Sequence, residues 1–167
     1  MRKHSLAAEP CPIARTLDVV GEWWTMVLIR DAFRGARRFE DFRAVGIADN
    51  ILSARLRRLV DEGVFERRLY QEHPERFEYV LTEKGSDLLP VLGALGIWGK
   101  KWTRGPDRTS FTHDECGHMA TLKPYCDHCG RPIDRSEIQV PRLHPVAAMV
   151  ETGEPLAERI TRPASRA

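Results

Sequence analysis

The apolar positions at the start of the chain repeat with helical spacing. Ile13, Leu17 and Val20 follow Cys11-Pro12 at intervals that keep them on one side of a helix. Proline is well accommodated in a first helical turn, so we predict that this helix begins near Pro12. The stretch Glu22–Phe33 is apolar on nearly every side, which predicts a helix buried in the core.

A short amphipathic segment over 39–43 precedes the most regular pattern of the chain, which runs over Asp49–Glu62. The apolar face of this predicted helix consists of Leu52, Leu56, Leu59 and Val60. The opposite face carries Asn50, Ser53 and Arg57, and Arg55 and Arg58 flank it. We therefore expect the leucines to point into the protein and the polar face to remain accessible.

After Gly63 the period of the pattern changes from about 3.6 residues to 2. Val64–Tyr70 and Phe77–Leu81 alternate as strands, and the polar residues between them, which include Pro74, predict a turn. A last long helical stretch opens at Thr82 and Gly85 and runs through Leu88 to Trp102; Pro90 either kinks it or lies in a first turn after a break.

Periodicity is lost after Gly105, and this change divides the chain. We expect an N-terminal arm over 1–10, a winged-helix domain over 11–104, a linker with a Cys/His knuckle over 105–140, and an irregular tail over 141–167. The predicted fold is mainly α with a small β-hairpin wing. It is a winged helix-turn-helix with flanking dimerisation helices and a C-terminal zinc-ribbon-like knuckle.

Composition places the chain among soluble globular proteins. It has 167 residues, of which 42% are hydrophobic and 30% charged. No apolar run approaches the about 20 residues that a membrane helix needs, and the N-terminus does not resemble a signal peptide. We therefore predict a cytoplasmic location and no membrane partner. In that compartment cysteines are expected to be thiols or metal ligands before disulfides.

The distribution of charge is more informative than its total. The net charge is only +2, but the segment 34–68 holds nine arginines against six acidic residues. Arginine suits bidentate contacts with phosphate and guanine. The order helix, buried helix, short helix, basic helix, hairpin is that of a winged helix-turn-helix, so double-stranded DNA is the predicted partner.

Each candidate DNA contact has an expected role. Base edges in the major groove would be read by the polar face of the basic helix, where Asn suits adenine and Arg suits guanine. Arg37 and Arg38 are placed for backbone phosphates, and Arg76 for phosphate or a minor groove from the wing tip. The complete predicted set is Arg37, Arg38, Asn50, Ser53, Arg55, Arg57 and Arg76. For any single arginine, an ordinary solvated surface position is the alternative.

Several motifs together resemble the HxlR family of regulators over about residues 11–102. They are Cys11-Pro12-Ile13, Leu17–Thr25, Arg37-Arg38-Phe39, Leu52–Leu59 and Tyr79–Gly85. The resemblance implies a homodimer, joined through its terminal helices, on a pseudo-palindromic operator. Ala48-Asp49 stands where the family often has Ser-Pro, so we expect Asp49 to take over the helix cap.

Two features suggest how such a regulator is controlled. Cys11 matches the cysteine with which some family members sense electrophiles or oxidants; packing at a dimer interface is the alternative. Trp23, Trp24 and Trp98 are candidates for the wall of a small-molecule effector pocket, with a core or dimer role as the alternative. Gly93, Gly96 and Gly99 are expected to allow close helix contact between two copies.

The knuckle resembles the two halves of a zinc ribbon. Cys116, His118, Cys126 and Cys129 are the candidate ligands of a structural zinc, with His113 and His128 as substitutes. A ribbon that folds without metal is the alternative. A four-ligand site would be closed, so it would hold zinc for stability and not for catalysis.

Two further function classes are weighed against a DNA-binding regulator. An enzyme would need a nucleophile held beside a base, or a metal with an open position, and the sequence offers neither. A winged-helix module that binds proteins and has lost DNA binding is the stronger alternative. The sequence leaves the operator, the effector and the sign of regulation open.

Overall fold

In the residues that the structure describes, the fold consists mainly of short helices and one β-hairpin. A computed structural model describes residues 5–106, 111–120 and 122–138. Its elements are α1 (Pro12–Val20), α2 (Thr25–Phe33), α3 (Phe39–Arg43), α4 (Asp49–Asp61), β1 (Phe65–Gln71), β2 (Arg76–Leu81), α5 (Glu83–Ser86), α6 (Leu89–Trp102) and a 3-10 turn (Arg135–Glu137). This order confirms the predicted helices and hairpin, and it is consistent with a winged helix-turn-helix.

The core lies where α2, α3, α4 and the start of β1 meet. Its fully buried side chains are Leu28, Ile29, Phe42, Leu52, Leu56, Leu59, Val64 and Phe65. Phe42 is central, because its ring lies 5.9 Å from that of Phe65 and 6.3 Å, edge to face, from that of Tyr79. One aromatic side chain of α3 thus joins the helices to the hairpin.

The prediction that Glu22–Phe33 is a helix buried on all sides was wrong in two respects. The helix begins only at Thr25, and of its residues Thr25, Leu28 and Ile29 are buried. Trp23 precedes the helix and is 94% exposed. The apolar side chains of this segment therefore contribute to an exposed surface as well as to the core.

The wing is a two-stranded antiparallel hairpin. Phe65 pairs with Leu81 at one end and Gln71 pairs with Arg76 at the other, and the register shifts between Leu69 and Gln71. The backbone just before α3 pairs with its second strand. The Tyr79 N–H donates to the Arg37 carbonyl at 2.7 Å, and Arg38 forms an isolated bridge with Glu78. The hairpin and the Arg37-Arg38 segment therefore form one framework.

The last helix starts after a break, so the second option for Pro90 is the observed one. Pro90 lies in the first turn of α6, where its missing N–H costs no hydrogen bond. Gly93 is buried, and a β-carbon there would collide with Leu122. Its small size therefore serves packing within the chain, and close contact between two copies at Gly93, Gly96 and Gly99 stays a prediction.

The chain divides into two compact units, 1–122 and 123–167. The first unit contains the winged helix and the knuckle over 111–120, and the second contains the knuckle around Cys126. The predicted tail over 141–167 lies outside the described residues. Within the described part of the chain, no helix has the length and apolar character needed to cross a bilayer.

Candidate nucleic-acid interface

Helix α4 presents a polar face to the outside of the chain. Leu52, Leu56 and Leu59 are buried in the core. Asn50, Ser53 and Arg57 are all exposed. The arrangement predicted from the helical period is confirmed for the single chain. A polar helix face of this kind has the side chains that hydrogen-bond base edges.

The start of α4 differs from the expectation. Ala48 occupies the N-cap position, and Asp49 is the first helical residue and caps no backbone N–H. Instead, an Asp49 carboxylate oxygen lies 3.0 Å from Nε of Arg43, on α3. Asp49 therefore ties the two helices of the helix-turn-helix together, which corrects its predicted role as the cap.

Ion pairs sort the arginines of this region into two groups. Those with a carboxylate partner are Arg30, Arg34, Arg43, Arg55, Arg58 and Arg68. Those with no carboxylate partner in the described part of the chain are Arg37, Arg38, Arg57, Arg67 and Arg76. The second group contains four of the five predicted arginine contacts, and none of its members is held in an ion pair within the described residues.

Arg55 is the predicted contact that the structure assigns differently. Its guanidinium hydrogen-bonds the Glu22 carboxylate, and both side chains are largely buried. Arg58 similarly donates to the Asp18 carbonyl and lies 3.6 Å from the Asp18 carboxylate. These pairs fasten α4 to α1 and to the segment before α2. Arg55 thus positions the helix, and a DNA contact would require it to leave a largely buried ion pair.

Arg37 and Arg38 lie on an extended segment fixed by Asp41. One carboxylate oxygen of Asp41 accepts the backbone N–H groups of Arg37 at 3.0 Å and of Arg38 at 2.8 Å. These backbone hydrogen bonds, from Arg38 first, hold the pKa of Asp41 below its usual value. The Arg38 guanidinium lies over the Tyr70 ring at 4.6 Å. Both side chains are exposed beside the wing.

The wing contributes a residue that the sequence analysis missed. Arg76 is exposed at the start of β2, as predicted, and Arg67 is exposed on β1 with its guanidinium 3.4 Å from the centre of the Phe77 ring. In the sequence, Arg67 is one of several charged residues on this strand and does not stand out. The structure distinguishes it from its neighbour Arg68, because Arg68 forms an ion pair with Glu66.

Cys11 occupies the N-cap position of α1 and is half-buried. The arm before it folds back on the same helix, where Asp18 accepts hydrogen bonds from the Leu6 N–H at 2.9 Å and the Ser5 hydroxyl at 3.2 Å. Asp18 is also the partner of Arg58, so one carboxylate joins the arm, α1 and α4.

The three tryptophans proposed as pocket walls lie in different surroundings. Trp24 packs against the core, whereas Trp23 and Trp98 are 94% and 61% exposed. The cavities found in the described residues are lined by other side chains. These three cavities therefore give no support to an effector pocket at the tryptophans, which stays a prediction.

The two knuckles share one backbone design. In the first knuckle, the His113 N–H donates to the His118 carbonyl and the Gly117 N–H donates to the His113 carbonyl. In the second, the Cys126 N–H donates to the Arg131 carbonyl and the Gly130 N–H donates to the Cys126 carbonyl. Gly117 and Gly130 both have positive φ, 68° and 67°. Residues His113 and Cys116 of the first loop therefore match Cys126 and Cys129 of the second.

The side chains of each knuckle follow this correspondence. His113 Nδ1 lies 3.3 Å from Cys116 Sγ, whereas His118 Nδ1 lies 2.8 Å from the Cys116 carbonyl oxygen. In the second loop, hydrogen bonds to its sulfur, first from the Arg131 backbone, lower the pKa of the Cys129 thiol. His113 is thus better placed than His118 as the second donor of the first loop.

Zinc binding stays a prediction. No three His, Cys, Asp or Glu side chains form a metal-holding group anywhere in 5–106, 111–120 or 122–138. We expect about one zinc per chain in protein purified without chelator, measured by elemental analysis. His113→Ala should lower that content more than His118→Ala. A content below about 0.2 zinc per chain in the wild-type protein would contradict the prediction.

Comparison with known proteins agrees with this geometry. The model of the HxlR-like helix-turn-helix family matches residues 19–107. The chain is 42% identical over 124 residues to the HTH-type transcriptional regulator Rv3095 of Mycobacterium tuberculosis, covering 72% of this chain and 78% of that protein.

Solved structures give the same result. The transcription-factor candidate PA1607 is 37% identical and superposes with a TM-score of 0.70 over 81% of this chain and 97% of its own. The reduced form of the redox regulator HypR is 34% identical, with a TM-score of 0.52 over 55% of this chain and 92% of its own. The chain belongs to the HxlR-like helix-turn-helix family and is a transcriptional regulator of that type.

Proposed function

We propose that this regulator binds double-stranded DNA directly, with α4 in the major groove and the wing beside the backbone. The exposed Asn50–Ser53–Arg57 face of α4 carries the proposal. These three side chains project from one side of a helix whose other side is anchored in the core. A rigidly held helix presents its donors in one geometry, as recognition of base edges requires.

The arginines without carboxylate partners supply the phosphate contacts. Arg37 and Arg38 precede α3, and Arg67 and Arg76 lie on the hairpin. Each is exposed, so its positive charge can meet a phosphate without first breaking an ion pair. Contacts of this kind fix the register of a protein on DNA but carry no sequence information.

The active species is a homodimer on a pseudo-palindromic operator. The support is the apolar surface that the single chain leaves open on its terminal helices, including Ile13 (71% exposed) and Leu17 on α1, and Trp98 and Trp102 on α6. Patches of this kind mark association surfaces in soluble proteins. Sedimentation at micromolar concentration should give twice the chain mass; a monomer would contradict the assignment.

DNA binding should depend steeply on salt. The logarithm of the affinity for DNA from the region upstream of its own gene should fall linearly with the logarithm of salt concentration, because each phosphate contact releases counterions. Arg38→Ala removes one phosphate contact from each subunit of the dimer, so it should make the slope shallower by about 2. The measurement is fluorescence anisotropy across a salt series.

Arg68→Ala is the matched control. Arg68 is also an exposed arginine of this region, but its guanidinium is engaged by Glu66 on the same strand. Its replacement should leave the slope unchanged. Wild-type binding that is absent, or independent of salt, would contradict DNA binding and favour the alternative function, a winged-helix module that binds proteins.

A second proposal concerns control by thiol oxidation. Cys11 stands at the start of α1, and the similar protein HypR is named as a redox regulator. Oxidation at Cys11 would alter the helix that Asp18 and Arg58 join to α4. We expect diamide to change DNA affinity in the wild-type protein and not in Cys11→Ser. An equal response of both proteins would assign the effect to another cysteine.

A further inference from the structure

Two of the arginines that form no ion pair in the described residues lie over aromatic rings of the wing. The guanidinium carbon of Arg38 is 4.6 Å from the centre of the Tyr70 ring. The guanidinium carbon of Arg67 is 3.4 Å from the centre of the Phe77 ring. Both distances are within the about 6 Å over which an aromatic face attracts a cation. The rings therefore hold these two side chains where no carboxylate does.

A ring holds a guanidinium group differently from a carboxylate. A carboxylate, such as that of Glu66 beside Arg68, offsets the positive charge and accepts hydrogen bonds from the N–H groups. A ring attracts the cation over its face but adds no negative charge, and it accepts at most weak hydrogen bonds. An arginine held by a ring therefore keeps the N–H donors with which it can bind a phosphate in bidentate fashion.

Arg38 is held at its backbone as well as at its guanidinium group. Its N–H donates to the Asp41 carboxylate at 2.8 Å, and its backbone forms a bridge with Glu78 on β2. The ring of Tyr70, on β1, lies at the far end of the same side chain. A long side chain with many rotatable bonds is thus fixed at both ends in the free protein.

We propose that Tyr70 is a positioning residue for DNA binding, because its ring orients the Arg38 guanidinium before a phosphate is met. The inference rests on the proposed function, in which Arg38 contacts the DNA backbone. Ordering a free arginine at an interface lowers affinity, since its rotamers become restricted. An Arg38 that is already ordered on the ring avoids this loss, and the Tyr70 hydroxyl has no part in it.

The first test compares Tyr70→Leu with Tyr70→Phe in the full chain, by fluorescence anisotropy with upstream DNA and with a scrambled duplex. Tyr70→Leu should weaken binding to both duplexes about fivefold or more, because each subunit must then order Arg38 at a cost of roughly twofold to tenfold in affinity. Tyr70→Phe keeps the ring and should bind as the wild type does. Wild-type affinity in Tyr70→Leu would overturn the proposal. So would weakened binding in Tyr70→Phe, which would make the hydroxyl a direct DNA contact.

The salt dependence separates positioning from the loss of a phosphate contact. Tyr70→Leu keeps the charge of Arg38, so its affinity should fall by the same factor at every salt concentration and its slope should equal that of the wild type. Arg38→Ala should make the slope shallower. A changed slope in Tyr70→Leu would contradict the positioning role, since a charge contact would then have changed and not the cost of ordering Arg38.

A double-mutant cycle assigns the effect to Arg38. Tyr70→Leu should have no further effect in a protein that already carries Arg38→Ala, because no guanidinium group remains to be oriented. Arg67→Ala is the matched background, since Arg67 is exposed on the same strand as Tyr70 but lies over Phe77. In that background Tyr70→Leu should weaken binding as much as it does in the wild type. Equal effects in the two backgrounds would show that the ring does not act through Arg38.

Failure of this inference can be distinguished from failure of the proposed function. A wild-type protein without salt-dependent DNA binding contradicts both. Wild-type binding that Arg38→Ala weakens and Tyr70→Leu leaves unchanged contradicts the positioning role alone. Tyr70 is 38% exposed, so Tyr70→Leu should fold, and urea unfolding checks this. Tyr70→Val provides a second variant that lacks the ring and suits a strand, and it should weaken binding in the same way.

Discussion

Replacing Phe42 with alanine is expected to lower the free energy of unfolding by about 3–5 kcal/mol, the usual range for a buried Phe in a packed core. Phe42 is fully buried and its ring meets those of Phe65 and Tyr79. The substitution leaves a cavity where α3, α4 and the hairpin join. Urea unfolding followed by circular dichroism, at fixed protein concentration, measures the change.

Phe77→Ala is the matched control, because it removes the same side chain from a half-buried position on β2. We expect a clearly smaller loss of stability. Since total stabilities of small domains are about 5–15 kcal/mol, Phe42→Ala should leave a substantial unfolded fraction on warming. Equal effects of the two substitutions would show that Phe42 is not the side chain that joins helices and wing.

Replacing Arg57 with alanine is expected to remove sequence preference while leaving nonspecific DNA binding largely intact. Arg57 is exposed, has no carboxylate partner in the described residues, and lies on the outer face of α4. A bidentate arginine–guanine contact contributes about 1–3 kcal/mol of discrimination, a factor of roughly 5 to 150 in affinity. Binding to upstream DNA and to a scrambled duplex of equal length measures this ratio.

Arg38→Ala is the contrasting variant, since a phosphate contact is lost equally from both duplexes. It should weaken binding to the two by the same factor and preserve their ratio. If Arg57→Ala weakens both equally and Arg38→Ala abolishes the preference, α4 is turned differently in the groove. Ser53→Ala, on the same face, would then identify which side chains approach the bases.

Local periodicity was enough to predict the helices, the hairpin and the orientation of α4. The inward leucines at 52, 56 and 59 repeat at intervals that only one helix face can satisfy. Arg38 and Arg76 were predicted as phosphate contacts from their places ahead of the short helix and at the wing tip, and both side chains are exposed. Such inferences need only neighbours in the chain, and these are visible in a sequence.

Interactions between side chains far apart in the chain could not be predicted from these local patterns. Arg55 looked equivalent to Arg57, but its partner Glu22 lies 33 residues earlier. The exposure of Trp23 was misjudged because hydrophobicity alone does not tell a core side chain from one on an open surface. The equivalence of His113 with Cys126 emerged only from matching backbone hydrogen bonds in the two knuckles.

The sequence by itself determined the family, the order of elements and the outward polar face of α4, since each follows from short-range patterns of side chains. Tertiary structure alone decided which arginines form no ion pair in the described residues and where a ligand-sized cavity lies. Both depend on packing between segments far apart in the chain, such as Arg58 of α4 against Asp18 of α1, 40 residues away. Charge available for DNA is thus a property of the folded surface and cannot be counted from composition.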